Sequence, residues 1–316
     1  MWKDVRPAVE RFLVLSEVAL KNGHLYFAVE ELGKAREEAR SFAMTQQDPE
    51  MLKKGLEGFE AAWQKENIEL VALDRKAKQR DWTTAPAALR ALGESSEGQA
   101  ITLLEASKAY ASVTDPTSGY YYLGAAKANE EFNEFVYSLS VQRKGAQFAP
   151  HSIAIPLQEL QERTNAAFVP PLSINKHRVF IRLNSMLKVA GELDQADLYS
   201  GALYQYMQAL TQFSLLQPKA IDQAEKARIH KSIAEARAKL GGDTTDESLA
   251  EMFAERAEAI IGTKNDKEAT DEEWQNAAAV VDSVLPAYYK FVKSRPEEIK
   301  LAPTAVTVTL VRWPFT

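Results

Sequence analysis

The sequence predicts an all-α protein of stacked antiparallel helical hairpins, with one short β-strand at its C-terminal end. Three observations support this fold class. Apolar residues recur at intervals of three and four through most of the 316 residues, as on one face of a helix. Glycines, prolines and helix-capping residues divide these segments into helices joined by turns. Only the stretch from Ala305 to Trp313 alternates branched apolar residues with threonine, as a strand does.

Two groups of hairpins are predicted, separated by a junction rich in proline. Residues 1–143 form the N-terminal group and residues 176–293 the C-terminal group. The junction, residues 144–175, contains four prolines, so we expect a hinge or domain boundary there. Residues 294–316 are expected to form a linker and the terminal strand.

In the N-terminal group, the first hairpin is predicted to turn at Asn22-Gly23, because glycine readily ends a helix. Its second helix is expected to run from about Leu25 to Met44. A helix that begins near Leu52 either continues to about Arg80 or gives way to another helix. Further helices are predicted over residues 87–92, 99–113 and 118–141.

In the junction, one helix is predicted from Leu157 to Phe168, and Ser152 to Ile155 is expected to be extended. The second hairpin is predicted from residues 176–190 and 193–216, with its turn at Gly191. Three further helices are predicted over residues 218–240, 247–261 and 271–292, the last two preceded by capping boxes that start at Thr244 and Thr270. Pro286 is expected to kink the last helix.

The two predicted hairpins share one spacing of large and small residues. An aromatic residue and a leucine lie one turn apart on the first helix, a glycine marks the turn, and an alanine on the second helix allows close packing. The residues are Phe12, Leu15, Ala19, Gly23 and Ala28 in one hairpin and Phe180, Leu183, Leu187, Gly191 and Ala196 in the other. Tyr120, Leu123 and Gly124 begin a third such segment, in which Val136 stands where alanine is expected.

This spacing resembles the tetratricopeptide repeat (TPR), whose hairpins stack into an α-α superhelix. The resemblance covers about a third of the chain, without a tandem period of about 34 residues. It implies a concave groove in which first-helix side chains bind an extended peptide or a partner helix. The candidate groove residues are Tyr121, Arg182 and Asn184, because arginine and asparagine can hydrogen-bond a peptide backbone or carboxylate. Tyr120, Tyr121 and Tyr122 should fan out around their helix, so at least one is expected to reach solvent or a groove.

Composition narrows the classes of partner and compartment. The formal net charge of -6 and the pI of about 5.5 argue against nucleic-acid binding, which needs a concentrated basic face. No apolar run has the length of a membrane span. The lack of cysteine excludes disulfides and thiolate chemistry. The compartment stays open: the chain is cytoplasmic as numbered, or an exported bacterial protein whose signal has been removed.

The sequence contains no recognisable catalytic, cofactor or metal motif. His24, which lies in a predicted turn, is expected to be exposed, and none of the histidines lies in a metal-binding motif. No phosphate-binding glycine loop and no nucleophile elbow occurs. Paired glutamates on the helices are interpreted as solvated faces; they are Glu30, Glu31, Glu37, Glu38, Glu130 and Glu131. We therefore predict no cofactor and no metal, while a carboxylate pair across a helical barrel keeps an enzyme open.

The terminal strand needs a partner, because a single strand cannot satisfy its own backbone. Its candidate pairing residues are Val306, Val308 and Leu310. The partner is a segment of the same chain such as Ser152 to Ile155, the same strand of a second subunit, or a sheet edge on another protein.

Together these features predict a non-catalytic scaffold that binds protein or peptide, with self-association through the terminal strand as an option. Two alternatives remain open. One is an enzyme or small-ligand binder with its site inside a helical bundle. The other is a structural subunit of a larger assembly, joined through the terminal strand.

Overall fold

The computed structural model describes residues 2–46, 53–77, 79–112, 116–142, 149–170, 173–240, 246–262 and 269–293. These residues form eleven helices and contain no strand, which confirms the predicted helical class for them. The helices are α1 (Trp2–Lys21), α2 (Leu25–Thr45), α3 (Gly55–Ala77), α4 (Ala87–Tyr110), α5 (Thr117–Gln142), α6 (Ala154–Ala167), α7 (His177–Gln195), α8 (Tyr199–Leu216), α9 (Gln223–Lys239), α10 (Ser248–Gly262) and α11, which is α-helical over Asp271–Ala279 and Leu285–Lys293 and π-helical over Val280–Val284. The predicted strand and its pairing residues Val306, Val308 and Leu310 lie outside the described residues.

The helices pack side by side in an order that differs from their order in the chain. α1 contacts α2, α2 contacts α5, α5 pairs with α4, α4 contacts α8, and α8 pairs with α7. α3 lies against α4 and α5, and α6 lies against α7 and α8. α10 contacts α2, α4, α9 and α11. The hairpins α1–α2, α4–α5 and α7–α8 therefore form a row, and α10 connects the first two of them.

One large hydrophobic core extends along this row. It contains Val29 of α2, Leu183 of α7 and Tyr288 of α11, so both predicted groups of hairpins contribute to it. Ile153, from the predicted junction, is also fully buried in it. A smaller cluster around Phe59 joins α3 to α4 and α5.

The two predicted hairpins exist, but the second turns six residues later than expected. In the first, Gly23 has a φ of 77° and the His24 N–H donates to the Ala19 carbonyl at 2.8 Å. In the second, Asp197 has a φ of 62° and the Leu198 N–H donates to the Leu193 carbonyl at 2.9 Å. Both turns follow the same helix-ending pattern with one left-handed residue. The predicted turn at Gly191 is wrong, because that residue lies inside α7.

The first hairpin therefore repeats in the second with a shift of 174 residues, from Gly23 to Asp197. Ala28 then corresponds to Ala202, and both are buried. The Phe27 N–H donates to the Glu255 carboxylate, and at the equivalent place the Gly201 N–H donates to the Glu94 carboxylate. In each hairpin, therefore, a glutamate from another helix accepts a hydrogen bond at the start of the second helix.

Two glycines that were expected to interrupt a helix instead lie within α4. A Cβ at Gly93 would stand 2.7 Å from the Trp82 ring, and a Cβ at Gly98 would stand 2.7 Å from Leu193. These glycines permit close packing rather than a turn, so the predicted separate helices over residues 87–92 and 99–113 are one helix.

The third predicted repeat segment, at Tyr120, is also wrong as a hairpin start. Tyr120 lies near the beginning of α5, which continues without a turn to Gln142 and is the second helix of its hairpin. Gly124 is the point at which α5 crosses α2 closely, because a Cβ there would meet the Arg40 carbonyl oxygen at 2.7 Å.

The junction contains more helix than predicted. Ala154 and Ile155 are the first residues of α6, so the expectation of an extended piece from Ser152 to Ile155 is wrong for them. Asp194 fixes this start, since its carboxylate accepts hydrogen bonds from the Ile153 N–H at 2.8 Å and from Ser152 at 2.7 Å. In α11, the π-helical segment immediately precedes the turn that contains Pro286, in agreement with a local distortion there.

Candidate functional site

Tyr121, the first predicted groove residue, is held in the contact between α5 and α2. Its hydroxyl donates a hydrogen bond to Glu38 Oε2 at 2.9 Å, and its ring meets Tyr122 edge-on. Burial, together with the carboxylates of Glu38 and Glu37, raises the pKa of Tyr121 above its ordinary range. Its polar atom is therefore already used within the fold.

The neighbouring tyrosines point in different directions, as helical geometry predicts. Tyr120 is fully buried, with its ring edge-on to Phe59 at 5.4 Å. Tyr122 stacks on Tyr110 at 4.7 Å, and Tyr110 is exposed. Elsewhere the large aromatics such as Tyr204 lie in the core. Most of these aromatic residues therefore support packing, whereas Tyr110 reaches the surface.

Asn184, the second predicted groove residue, links α7 to α6. Its Nδ2 donates to the Phe180 carbonyl at 2.9 Å, and its Oδ1 accepts from Gln161 Nε2 at 2.8 Å. Its amide is thus bonded on both sides.

Arg182 differs from the other two predicted residues because its guanidinium is free. It is exposed and forms no hydrogen bond or ion pair with any residue that the structure describes. Partial desolvation by the surrounding protein lowers the pKa of Arg182. The negative charge of Glu272 raises this pKa, and the like charge of Arg178 lowers it further. A guanidinium carries five donors, so this side chain retains its full capacity to bind a carboxylate or a carbonyl.

A pocket of about 560 Å³ lies where α7, the end of α8 and the start of α11 meet. We call it the α7–α11 pocket. Its lining is apolar at Val179, Leu215, Pro218, Ala220 and Ile221 and polar at Lys219, Asp271, Glu272 and Gln275. The volume falls in the range of ligand-binding clefts, about 300–1,000 Å³.

The rim of this pocket is fixed by hydrogen bonds. Gln275 accepts from the Lys219 N–H at 3.3 Å and donates to the Lys219 carbonyl, which holds the segment after α8 against α11. Thr270 and Glu273 form the predicted capping box at the start of α11. The pocket is therefore preformed by the fold.

Arg182 lies beside the α7–α11 pocket. Val179, which lines the pocket, is one helical turn before Arg182 on the same face of α7. Glu272, which also lines it, acts electrostatically on Arg182. An apolar cleft with a free guanidinium at its edge can hold an aliphatic side chain and bind an adjacent acidic group.

Comparison of the chain with protein-family models, curated proteins and solved structures gives no match. Among the described helices, none is both long and apolar enough to cross a bilayer.

The interpretation of the paired glutamates as solvated faces is wrong for Glu30 and Glu31, which are buried. Glu30 accepts a hydrogen bond from Arg256, and its Oε1 lies 3.0 Å from the Tyr204 hydroxyl and 2.9 Å from Lys34 Nζ. Burial alone would raise the pKa of Glu30, but the charges of Arg256 and Lys34 hold it well below its usual range. These residues form a buried ionic network between α2, α8 and α10.

The expectation that His24 is exposed is also wrong. The turn after Gly23 places its ring in the protein, where Nε2 lies 3.3 Å from a carboxylate oxygen of Glu258. Burial lowers the pKa of His24, and Glu258 opposes this effect.

A second pocket, of about 470 Å³, lies between α3 and α5 and is bordered by charged side chains. We call it the carboxylate pocket. Its lining residues are Glu69, Ala72, Leu73, Lys76, Lys127, Glu130, Glu131 and Glu134. Burial raises the pKa of Glu130 to about 8, with the adjacent carboxylate of Glu66 as the next cause.

The sequence interpretation missed both pockets. It did not single out Glu66 and Glu69, spaced three apart on α3, or Lys127 on α5. Glu130, three residues after Lys127, was interpreted only as part of a solvated face. Such spacing places each pair on one helix face, but it does not reveal that α3 and α5 face one another. The α7–α11 pocket joins segments far apart in the chain, and of its surroundings only Arg182 was singled out.

Proposed function

We propose that the protein is a non-catalytic peptide-binding scaffold of TPR-like type, and that the α7–α11 pocket receives an extended peptide. The observation that carries this proposal is the free guanidinium of Arg182 beside a preformed pocket with an apolar wall. The α1–α2 and α7–α8 hairpins, which share their turn and capping bonds, support the relationship to helical repeats.

The pocket also indicates the chemistry of the peptide. Its apolar wall suits one aliphatic side chain, and Arg182 and Arg178 suit an acidic side chain or a C-terminal carboxylate next to it. Asp271 and Glu272 on the opposite side disfavour a second acidic group there. We therefore expect a peptide with an aliphatic residue adjacent to a single acidic group.

A phage-displayed random peptide library, selected on the immobilised full chain, tests this proposal. The enriched peptides are expected to contain the aliphatic and acidic pair, and fluorescence anisotropy then measures their affinity. Arg182→Gln is expected to weaken binding by about tenfold or more, since a charged hydrogen bond contributes about 1.5–3 kcal/mol. Ala220→Trp, at an exposed position on the pocket wall, is expected to block it.

Lys188→Gln is the matched control, because it removes one positive charge from the same helix. Lys188 is exposed, and its ion pair with Glu192, at 3.4 Å, is a surface pair on α7. We expect this variant to bind as the wild type does. Equal losses in Lys188→Gln and Arg182→Gln, or enrichment of peptides without an acidic group, would contradict the proposal.

A further inference from the structure

Three carboxylates converge between α3 and α5. Glu66 and Glu69 lie one turn apart on α3, and Glu130 faces them from α5. One oxygen atom of each lies within 4.8 Å of the corresponding oxygens of the other two. An ion that binds oxygen at about 2.0–2.6 Å can contact all three from a central position.

The three carboxylates have a single ammonium group beside them. Lys127 Nζ lies 2.9 Å from Glu66 Oε2 and 2.6 Å from Glu69 Oε2, so one ammonium group faces three carboxylates. Glu130 has no ion-pair partner among the described residues. Burial and the carboxylate of Glu66 keep a proton on Glu130. A divalent cation that displaces this proton would neutralise the two negative charges that the three ionised carboxylates then leave beside Lys127.

A second, independent observation points to a ligand at this place. Glu66 is 4% exposed, and its Oε1 accepts no hydrogen bond from any residue that the structure describes. A buried carboxylate oxygen without a donor is strongly unfavourable, so such atoms normally have a partner. Glu66 lies within the convergent group, and its other oxygen is already bound to Lys127.

The other acidic residues of the carboxylate pocket are already neutralised. Glu131 pairs with Arg36 at 3.2 Å and with Arg40 at 2.5 Å. Glu134 pairs with Lys76 at 2.9 Å and with Arg80 at 2.7 Å. The excess negative charge is therefore confined to the convergent group, and the pocket gives an ion a path to it from solvent.

We propose that Glu66, Glu69 and Glu130 bind one divalent cation of the Mg²⁺, Ca²⁺ and Mn²⁺ class. Carboxylate oxygens are the ligands these hard cations prefer, and the pocket leaves room for coordinated water. Lys127 would compete with the ion for Glu66 and Glu69, which sets a moderate affinity. This inference is independent of peptide binding at the α7–α11 pocket.

A titration of the EDTA-treated full chain with Mn²⁺, followed by the electron paramagnetic resonance signal of the free ion, tests the proposal. One ion per chain is expected to bind, with a dissociation constant of about 10⁻⁵–10⁻³ M, and Ca²⁺ or Mg²⁺ should displace it. Glu130→Gln is expected to weaken binding by about 10–100-fold. Lys127→Gln is expected to strengthen it about tenfold, because it removes the competing ammonium.

Glu131→Gln is the matched control, since it removes one carboxylate of the same pocket that already has two arginine partners. Its affinity for Mn²⁺ should stay within about threefold of the wild type, because only distant electrostatics change. Equal losses in Glu131→Gln and Glu130→Gln would show general attraction of cations and overturn the site. Absence of saturable binding at about 1 mM Mn²⁺ would overturn it as well.

Thermal unfolding separates loss of the site from loss of the fold. In EDTA, Glu130→Gln is expected to melt at or above the wild-type temperature, because it relieves repulsion between carboxylates. Mn²⁺ should raise the melting temperature of the wild type and leave this variant unchanged. If Glu130→Gln did not fold, Glu69→Gln would serve instead, and an undiminished Mn²⁺ affinity in the folded variant would overturn the proposal.

Discussion

Four carboxylates connect helices that are far apart in the sequence. Each accepts a hydrogen bond from a backbone N–H at the start of another helix; the acceptors are Glu94, Asp194, Asp246 and Glu255. The first turn of a helix has unpaired N–H groups and a partial positive charge, so a carboxylate there satisfies both. A hydrogen bond to a charged group contributes about 1.5–3 kcal/mol, which makes these residues important for the relative placement of the helices.

Glu255 provides a prediction for the pH dependence of stability. Burial raises the pKa of Glu255 to about 7 and Glu251 adds to this, whereas the Phe27 N–H and Arg237 lower it. In the unfolded chain a glutamate ionises near pH 4.5, so the folded protein holds this proton more tightly. The tighter binding of the Glu255 proton contributes fully to stability below about pH 4.5. This contribution is lost as the pH rises through about 7. Relative to Glu255→Gln, the wild type should lose about 2 kcal/mol of unfolding free energy between about pH 5 and 8.

Urea denaturation of both proteins at a series of pH values measures this difference. Glu251 and Arg237, which act on Glu255, are the same in both proteins, and so are His24 and Glu258, which interact with Arg237. Their titration therefore largely cancels. Glu235→Gln, on an exposed part of α9, is the control and should show the wild-type pH dependence. A stability difference that did not change with pH would mean that Glu255 is already ionised in the folded protein.

The burial of single charges was not predictable from neighbouring residues. Glu30 and Glu31 lie in a charged segment of α2 that also contains Glu37 and Glu38. From the sequence alone, this segment suggested a solvated helix face. Glu30 is stabilised by Arg256, which is 226 residues away in the sequence. Removal of Glu30 alone would leave the buried charge of Arg256 without this partner, which is strongly unfavourable.

At the level of the helices, the glycines have two different roles. Gly23 ends α1 in a left-handed conformation and has open space around the position of a Cβ. Gly124 and Gly201 instead lie where another helix approaches within 2.7–2.8 Å of a would-be Cβ. Only the first role is a stop signal, and the sequence pattern does not separate the two.

Gly191 and Gly23 give a paired test of where the hairpins turn. Gly23→Ala is expected to destabilise the protein by about 1–2 kcal/mol, because alanine is strained at a positive φ. Gly191→Ala is expected to stabilise it by about 0.5–1 kcal/mol, because alanine favours a helix interior. A Cβ there would meet Leu157 at 3.5 Å, which is an ordinary contact. Urea denaturation at one pH measures the change in unfolding free energy of both variants. Destabilisation by Gly191→Ala would instead support a turn at Gly191, as the sequence pattern suggested.

Helix ends were predicted best where one residue type has one physical role. The Asn22-Gly23 turn and the Thr270 capping box are both present as expected. The second turn was misplaced because Asp197 adopts the left-handed conformation, which aspartate tolerates better than most residues do. Gly191, six residues earlier, was the more obvious signal.

Across the whole molecule, the helical class was predictable and the arrangement of the helices was not. Periodicity identifies helices, but it does not show that α2 packs on α5 or that α10 packs on both α2 and α4. The two candidate sites depend on this arrangement, since the carboxylate pocket needs α3 against α5 and the α7–α11 pocket needs α7 near α11. Arg182 could be selected from its residue type, which suggested binding. The packing of the helices, which the sequence did not predict, leaves its guanidinium without a partner among the described residues.

The shared core leads to a prediction about the proposed division of the chain at residue 143. Leu89 of α4 is buried in the core that α8 also forms, and the Ala87 N–H donates to Asp246, just before α10. A fragment of residues 1–143 would expose this surface. It should therefore unfold without a cooperative transition and bind a hydrophobic dye, as loosely packed states do.

Coexpression of residues 1–143 with residues 144–316 should restore a cooperative transition, because the two fragments together supply both sides of the core. Thermal unfolding followed by circular dichroism measures each case, with the intact chain as reference. Association of the two fragments requires the contact between α4 and α8. Substitution of a charged residue for Leu203, which is buried in the core on α8, should therefore prevent association. A cooperative transition in residues 1–143 alone would show instead that the N-terminal hairpins are an independent domain.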